Sequence, residues 1–241
     1  MLGVLGGMGP LATVDFLAKL VAADVAETDQ QHMPFIVRSV PQIPDRSRYI
    51  TQGGENPLPA LRLGLRELGR AGASVVAIPC NTAHYWYSAL VGPDLPEILH
   101  IVDAVADRLA AVLPEGGPIA ILSTQGTRAA RVYENRLDQV RWPIAESTGP
   151  EIAAVGQGIT LVKAGRIDAA RAIFTQAIEA HRERGAKAVI LACTEIPAAL
   201  PEPDPFIVDA TEALAQRCVR WFRETHLGFP PANSQLLRAA S

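Results

Sequence analysis

The chain has 241 residues, 49% of them hydrophobic, and its 22 basic and 25 acidic residues give a net charge of −3. A chain of this size can bury a large core, either as one α/β domain or as two smaller ones. Because it has no basic block to neutralise a phosphate backbone, we expect no nucleic-acid partner.

The N-terminus and the cysteine pattern indicate a reducing compartment. Leu2 starts an apolar strand directly, without the charged segment, apolar run and cleavage site of a secretory signal, so we expect a cytoplasmic protein. No apolar run approaches the ~20 residues that a membrane helix needs, so we expect no membrane partner. The three cysteines lack CxxC spacing, which predicts free thiols and neither a disulfide framework nor a zinc site.

The first elements predict a strand, a glycine-rich turn and a helix. Residues 2–5 predict the strand, GGMGP at 6–10 the turn, residues 11–26 the helix, and residues 34–40 the next strand. Glycines before a helix start either expose N–H groups to an anion or simply make a tight turn. The spacing also matches a dinucleotide fingerprint formally, but the second strand lacks the acidic residue that such a site requires. We expect no nicotinamide, flavin or other cofactor.

A long segment at 41–56, interrupted by Pro and Gly, predicts a loop over a pocket. Its Arg46 is suited to bind a carboxylate with two hydrogen bonds, although a solvated surface arginine is the alternative. Residues 57–70 predict an amphipathic helix, and residues 74–78 a buried strand that leads to Cys80.

Polar residues follow Cys80 at once. Asn81 and Thr82 are suited both to cap a short helix that runs towards residue 90 and to bind a ligand. His84 could share a helical face with Cys80, but one such pair makes a poor metal site, and a packed histidine is the alternative. We expect no metal ion. Residues 98–102 then predict a strand, and 103–113 a helix.

The clearest break is PEGGP at 114–118, after which a second half begins. The hydroxyl-rich turn at 123–127 is suited to cap a helix or to bind a polar ligand. Lys163 ends a predicted helix, where it favours the helix dipole and could reach a ligand carboxylate. Cys218 is interpreted as a packing residue. The predicted strands are 119–122, 189–192 and 206–208, and the predicted helices are 128–137, 150–164, 168–184 and 209–224.

Two internal sequence repeats indicate that the halves are related. GASVVAIPC at 72–80 recurs as GAKAVILAC at 185–193, which is 113 residues later. LGVLGGMGPLA at 2–12 aligns with IAILSTQGTRA at 119–129, which is 117 residues later. The similar offsets predict an α/β protein with two similar halves, each of which carries one cysteine where strands meet solvent. We expect residues 1–113 plus 208–241 to form one lobe, including a closing helix, and residues 114–207 to form the other.

Ligands of open α/β sheets bind at the carboxyl ends of strands, where Cys80 and Cys193 are expected to face each other across a cleft. A thiolate on one side is suited to remove an α-proton, and a thiol on the other side to return one. Sulfurs about 3–3.5 Å from the reacting carbon would lie roughly 7 Å apart. No strand–Lys arrangement suggests pyridoxal phosphate, so donors such as Asn81, Thr82 and Thr194 would have to stabilise the carbanion.

Four motifs make the chain similar to the cofactor-independent aspartate/glutamate racemase superfamily, and particularly to its aspartate racemase branch. The resemblance extends to about Phe222 and leaves residues 225–241 outside. It implies two pseudo-symmetric Rossmann-like lobes with parallel sheets flanked by helices, an active site in the cleft between them, and a homodimer. The motifs are GGMGP at 6–10, PDR at 44–46, PCNTAH at 79–84 and CTEI at 193–196.

The resemblance also implies a role for individual residues. Cys80 and Cys193 would be the two bases, and Asn81, Thr82 and Thr194 would hold the α-carboxylate of an acidic amino acid. Relatives specific for glutamate carry CTH instead of CTE at 193–195 and an Asp-Ser turn instead of Gly7-Met8, so both departures favour aspartate. The other predicted substrate-binding residues are Arg46 and Lys163 for the distal carboxylate, with Thr124, Thr127, Met8 and Glu195.

Other functions stay open at this point. A maleate isomerase or a hydantoin racemase would also use paired thiols. A non-catalytic module that closes on a small acidic ligand would not need them. A hydrolase that uses Cys80 and His84 would leave Cys193 without a role.

Overall fold

The computed structural model describes residues 1–200 and 204–226, and this part of the chain contains two parallel sheets. The first sheet has the order β2-β1-β3-β4 and the second the order β5-β6-β7. All of their strand pairs are parallel, as expected where helices connect successive strands. The strands are β1 Leu2–Gly6, β2 Phe35–Ser39, β3 Val75–Ala77, β4 Glu97–Leu99, β5 Ile119–Ser123, β6 Ala188–Ala192 and β7 Ile207–Asp209.

Helices pack against these sheets through apolar faces. In α3, the buried residues Leu61, Gly64, Leu65 and Leu68 repeat at helical spacing and form the face that meets β1. None of the described helices is long and apolar enough to cross a membrane. The helices are α1 Pro10–Ala23, α2 Arg46–Gln52, α3 Leu58–Arg70, α4 Tyr87–Leu90, α5 Ile101–Val112, α6 Gln125–Ala129, α7 Gly149–Lys163, α8 Ile167–Glu183 and α9 Ala210–His226.

The two sheets are built alike. The order β1-β3-β4 in the first sheet corresponds to the order β5-β6-β7 in the second. The corresponding strands β3 and β6 lead to the two cysteines. At the edge where β2 pairs with β1, the second sheet has only an isolated parallel bridge between Ile119 and Ile144. The prediction of an α/β protein with two related, parallel-stranded halves is therefore confirmed.

Helix α9 joins the halves. It packs against α1 and α5 of the first half, although it directly follows β7 of the second sheet. Its residues Leu214 and Cys218 are fully buried in a core that also contains residues of β1 and β6, so Cys218 is a packing residue. The division into 1–113 plus 208–241 and 114–207 stays a prediction, and residues 201–203 and 227–241 lie outside the described part.

The predicted loop at 41–56 contains a helix that the sequence analysis missed. Asp45 caps α2 by accepting a hydrogen bond from the backbone N–H of Arg48 at 2.7 Å. Gly53, in the left-handed region with φ +68°, ends the helix. An Asp followed eight residues later by Gly is a helix signal, but the surrounding prolines and glycines obscured it.

Two further boundaries differ because of capping. His100 accepts the N–H of Val102 through Nδ1, so α5 starts at Ile101 and the strand predicted to run to 102 ends at Leu99. Thr124 accepts the N–H of Thr127 and starts α6 at Gln125. The helix predicted at 128–137 is wrong, because α6 ends at Ala129 and turns follow.

Two glycine-to-alanine substitutions should change stability in opposite directions. A Cβ at Gly64 would lie 2.5 Å from Cδ1 of the buried Leu5, so Gly64→Ala should lower the free energy of unfolding by about 1–3 kcal/mol. A Cβ at Gly156 of α7 would meet nothing within 4 Å, so Gly156→Ala should raise it by about 0.5–1 kcal/mol through helix propensity. Urea denaturation of both variants measures the difference, and equal shifts would contradict the close packing of α3 on β1.

Candidate active site

Both cysteines lie just beyond the carboxyl ends of central strands. Cys80 follows β3 and Cys193 follows β6, and their exposed fractions are only 6% and 4%. They line one cavity between the halves, together with most of the other predicted site residues. The residues that line it are Met8, Asp45, Arg46, Ser47, Cys80, Asn81, Thr82, Thr124, Lys163, Ala192, Cys193, Thr194 and Glu195.

Of the predicted site residues, Thr127 does not line this cavity but bonds to Thr82, which does. The sequence analysis missed Ser47, whose helix it did not predict. Asp45 belongs to the PDR motif at 44–46 but was not predicted as a site residue. The glycine turn also has a structural role, since the N–H of Gly7 donates to the hydroxyl of Thr13 at 2.8 Å.

The cavity at the cysteines is narrow. Its volume is about 20 Å³, enough for about one water molecule. A larger chamber of about 430 Å³ lies outside it and shares Asp45, Arg46, Lys163 and Glu195 with it. The inner cavity is therefore smaller than an amino acid, whereas the outer chamber is large enough to hold one.

The thiol of Cys193 faces a carboxylate. Its Sγ donates a hydrogen bond to Oε2 of Glu195 at 3.0 Å, and Glu195 is itself only 5% exposed. Burial, with the adjacent Glu195 carboxylate, raises the pKa of the Cys193 thiol well above its ordinary value. Lys163 Nζ lies 3.9 Å from Oε1 of Glu195, at the outer limit of an ion pair. Cys193 is therefore protonated in this arrangement and has a proton acceptor in contact.

Asn81 presents a free donor to the cavity. Its Oδ1 accepts a hydrogen bond from the Tyr133 hydroxyl at 2.6 Å, whereas its Nδ2 is buried without a hydrogen-bond partner. The sequence analysis missed Tyr133, which lies in the turns after α6 and belongs to none of the motifs.

Three threonine hydroxyls connect the halves. Thr82 Oγ1 lies 3.0 Å from Thr124 Oγ1 and 2.8 Å from Thr127 Oγ1. Nearby, Gly126 of α6 approaches Ser47 of α2 so closely that a Cβ would lie 2.6 Å from the Ser47 Cα. The backbones of the two halves are thus in direct contact beside the site.

The guanidinium of Arg46 already donates several hydrogen bonds to backbone carbonyls. Its Nη1 donates to the carbonyls of Ile43 and Pro44 at 2.9 and 3.0 Å, and its Nη2 donates to the carbonyl of Met8 at 3.3 Å. Its Nε is buried without a partner. These three bonds hold the guanidinium at the boundary of the cavity and leave the N–H of Nε and one N–H of Nη2 without a partner.

His84 is a structural residue of the Cys80 turn. Its Nδ1 donates to the carbonyl of Cys80 at 3.0 Å, and its Nε2 accepts the N–H of Ile101 at 3.2 Å. Neither nitrogen is free for the Cys80 thiol, which argues against the Cys–His hydrolase. Among residues 1–200 and 204–226, no group of three or more His, Cys, Asp or Glu is placed to hold a metal ion.

Comparison with known proteins agrees with this geometry. The family model described as Asp/Glu/Hydantoin racemase matches residues 5–218. The chain belongs to this family. Membership confirms the resemblance inferred from the motifs and identifies a racemase-type enzyme.

Relatives match nearly the whole chain. A broad specificity amino-acid racemase of Bacillus subtilis (strain 168) is 25% identical, and the match covers 91% of this chain and 96% of that protein. The structure of an aspartate racemase from Picrophilus torridus is 29% identical, has a TM-score of 0.78, and covers 91% of this chain and 93% of its own. A glutamate racemase from Bacillus anthracis shares the fold at 16% identity and a TM-score of 0.63, over 94% of this chain and 83% of its own.

His84 should make the fold sensitive to acid. Burial lowers the pKa of His84 to about 4, from an ordinary value of 6.5, and also lowers the pKa of the adjacent His100, to about 2. Below pH 6.5 these histidines therefore bind protons in the unfolded chain, whereas in the folded chain they stay neutral until the pH is much lower. His84 alone should remove up to about 3 kcal/mol of stability as the pH falls from 7 to below 4.

Urea denaturation between pH 7 and 4 measures this loss. His84→Asn should be less stable at pH 7 but should lose stability less steeply on acidification. Val105→Ala, which removes buried methyl groups in α5 without removing a titrating group, is the control and should keep the wild-type slope. If the free energy of unfolding falls equally steeply with pH in wild type and in His84→Asn, the lowered pKa of His84 is contradicted.

Proposed function

We propose that the chain is an amino-acid racemase that acts on aspartate, without pyridoxal phosphate or metal, and uses Cys80 and Cys193 as its two bases. One observation carries the proposal: two buried cysteines at equivalent strand ends line the same cavity between two related halves. A pair of thiols on opposite sides of a carbon is what inversion by proton removal and return requires.

The raised pKa of Cys193 favours a definite sequence of steps. With Cys193 as the acid, Cys80 is the base: as a thiolate it removes the α-proton from one face of the substrate, and the Cys193 thiol gives its proton to the other face. Cys80 then holds the substrate's proton, Cys193 is a thiolate, and the product is the other enantiomer. To restore the resting state, Cys80 releases that proton and Cys193 takes one up, and the contact with Glu195 places a proton-exchanging group beside Cys193.

The unpartnered polar atoms of the cavity suit an amino acid. Asn81 Nδ2 and Arg46 Nε are buried donors without partners, and Glu195 Oε1 is a buried acceptor without one. The donors match carboxylates, and the acceptor matches an ammonium group. Asn81, with Thr82 and Thr194, would stabilise the negative charge that moves onto the α-carboxylate when the proton leaves.

Aspartate is favoured over glutamate by the motifs at the cavity. Gly7-Met8 and Glu195 stand where relatives specific for glutamate carry an Asp-Ser turn and a histidine. Arg46 and Lys163 lie at the boundary between the cavity and the outer chamber, where a distal carboxylate would extend. The name of the Picrophilus torridus neighbour agrees with this choice.

A broader substrate range is the second candidate. The outer chamber of about 430 Å³ is larger than an aspartate side chain needs, and the Bacillus subtilis relative is named for broad specificity. A cytoplasmic location and a homodimer remain predictions. A maleate isomerase and a non-catalytic binding module are the alternatives that the next experiment separates.

The first test is proton NMR of L-aspartate with the purified protein in D₂O, without added cofactor, beside chiral analysis of the product. We expect loss of the α-proton signal together with appearance of D-aspartate. Cys80→Ser and Cys193→Ser should each slow racemisation by at least about 10²-fold, because each removes one proton-transferring group. Cys218→Ala, which removes the packing thiol in α9, is the control and should keep turnover.

Full binding and turnover by both serine variants would contradict a catalytic role for the thiols. Absence of exchange on aspartate, glutamate and a panel of other amino acids would overturn the racemase. Binding without exchange would then favour the binding module, and a covalent cysteine adduct with maleate would favour the isomerase.

Glu195→Gln should change the pH profile as well as the rate. The glutamine keeps an acceptor for the Cys193 thiol but carries no charge, so the pKa of Cys193 should fall towards its ordinary value. Because protonated Cys193 serves as the acid, the alkaline limb of the kcat/KM profile should move to lower pH, and kcat should fall about 10-fold or more. Glu183→Gln, at the exposed end of α8, is the control. An unshifted alkaline limb would contradict the coupling between Glu195 and Cys193.

A further inference from the structure

Tyr133 connects the core of the second half to the cavity. It lies in the turns after α6, its exposed fraction is 1%, and its ring packs in the core shared by both sheets. Its hydroxyl donates a hydrogen bond of 2.6 Å to Oδ1 of Asn81, which follows Cys80 in the first half. A rigid side chain of one half thus holds a polar side chain of the other.

This bond determines which end of the Asn81 amide faces the cavity. An asparagine amide has an acceptor oxygen and a donor NH₂ at opposite ends, so holding one end fixes the direction of the other. With Oδ1 bonded to Tyr133, the donor Nδ2 is directed away from the hydroxyl, and it is buried without a partner. A buried donor without a partner is destabilising, and a carboxylate oxygen that accepted its hydrogen bond would remove that cost.

The hydroxyl is suited to act as the donor. Burial raises the pKa of Tyr133 well above its ordinary value, and the charge of Asp209 raises it further. The phenol therefore keeps the proton that it donates to the amide oxygen.

We propose that Tyr133 is a positioning residue for substrate binding: its hydroxyl holds Asn81 so that the amide NH₂ faces the α-carboxylate of the bound amino acid. This inference rests on the proposed function. It assigns a role to a residue that acts through Asn81 and does not touch the substrate.

The bond also crosses the boundary between the halves. Asn81 belongs to the first half and Tyr133 to the second, so the direction of the amide depends on the packing of one half against the other. The threonine contacts between Thr82 and both Thr124 and Thr127 cross the same boundary.

The test removes the hydroxyl and keeps the ring. Tyr133→Phe should lower kcat/KM for L-aspartate by on the order of five- to tenfold, about the effect of one hydrogen bond. Tyr85→Phe, which removes a hydroxyl from a half-exposed ring outside the cavity, is the matched control and should stay within twofold of wild type. Thermal unfolding of both variants shows whether the ring still packs.

A double-mutant cycle separates positioning from packing. In an Asn81→Ala background, Tyr133→Phe should change kcat/KM by less than twofold, because the amide that the hydroxyl orients is gone. An equal loss in both backgrounds, or no loss in either, would overturn the role of Tyr133.

A binding measurement separates this role from the proposed reaction. Isothermal titration calorimetry of L-aspartate with the Cys80→Ser/Cys193→Ser protein should give a Kd that rises on the order of five- to tenfold when Tyr133→Phe is added. If Tyr133→Phe weakens binding but the wild-type protein shows no α-proton exchange, the racemase is overturned and the positioning role is kept. An unchanged Kd would overturn the positioning role alone, and absence of both binding and exchange would overturn both.

Discussion

The Cys193 thiol donates a hydrogen bond to Glu195 inside a cavity that is lined by residues of both halves. Burial makes this contact effective, because both groups are removed from water and a charge on either is strongly felt by the other. The packing of the halves also brings Tyr133 to Asn81 and the threonines of α6 to Thr82. The donor of Asn81 and the hydroxyl of Thr82 are therefore held by residues of the other half.

Three polar atoms at the cavity are buried without a hydrogen-bond partner: Asn81 Nδ2, Arg46 Nε and Glu195 Oε1. Buried polar atoms in folded proteins are nearly always paired, so each of these costs stability. A ligand with a carboxylate at each end and an ammonium group between them would pair all three. Binding of such a ligand would therefore recover a cost that the fold carries at this site.

The sequence predicted the parts of the site that depend on local pattern. Cys80 and Cys193 follow buried apolar runs, and the repeat of those runs showed that their positions are equivalent. Capping shifted the boundaries of α5 and α6, because a side-chain bond to a backbone N–H decides a helix start more sharply than apolar spacing does.

Tyr133 and the approach of Gly126 to Ser47 were not predictable from local pattern. In each case a residue of one half meets a residue of the other that is far away in sequence. Only the packing of the two sheets, with α9 joining them, brings such residues together. Nothing in the chain around Tyr133 distinguishes it from an ordinary core tyrosine.

The two related halves place their cysteines alike but surround them with different chemistry. Two residues after Cys80 comes Thr82, a neutral hydroxyl bonded to other hydroxyls, and two residues after Cys193 comes Glu195, a carboxylate. Burial and the Glu195 carboxylate keep the Cys193 thiol protonated, whereas Cys80 has no carboxylate at the equivalent position. In the proposed racemisation, equivalent backbone positions would let either face of a substrate meet a sulfur at similar geometry. The matched geometry would serve the two enantiomers, and the protonated thiol would provide the proton that is returned.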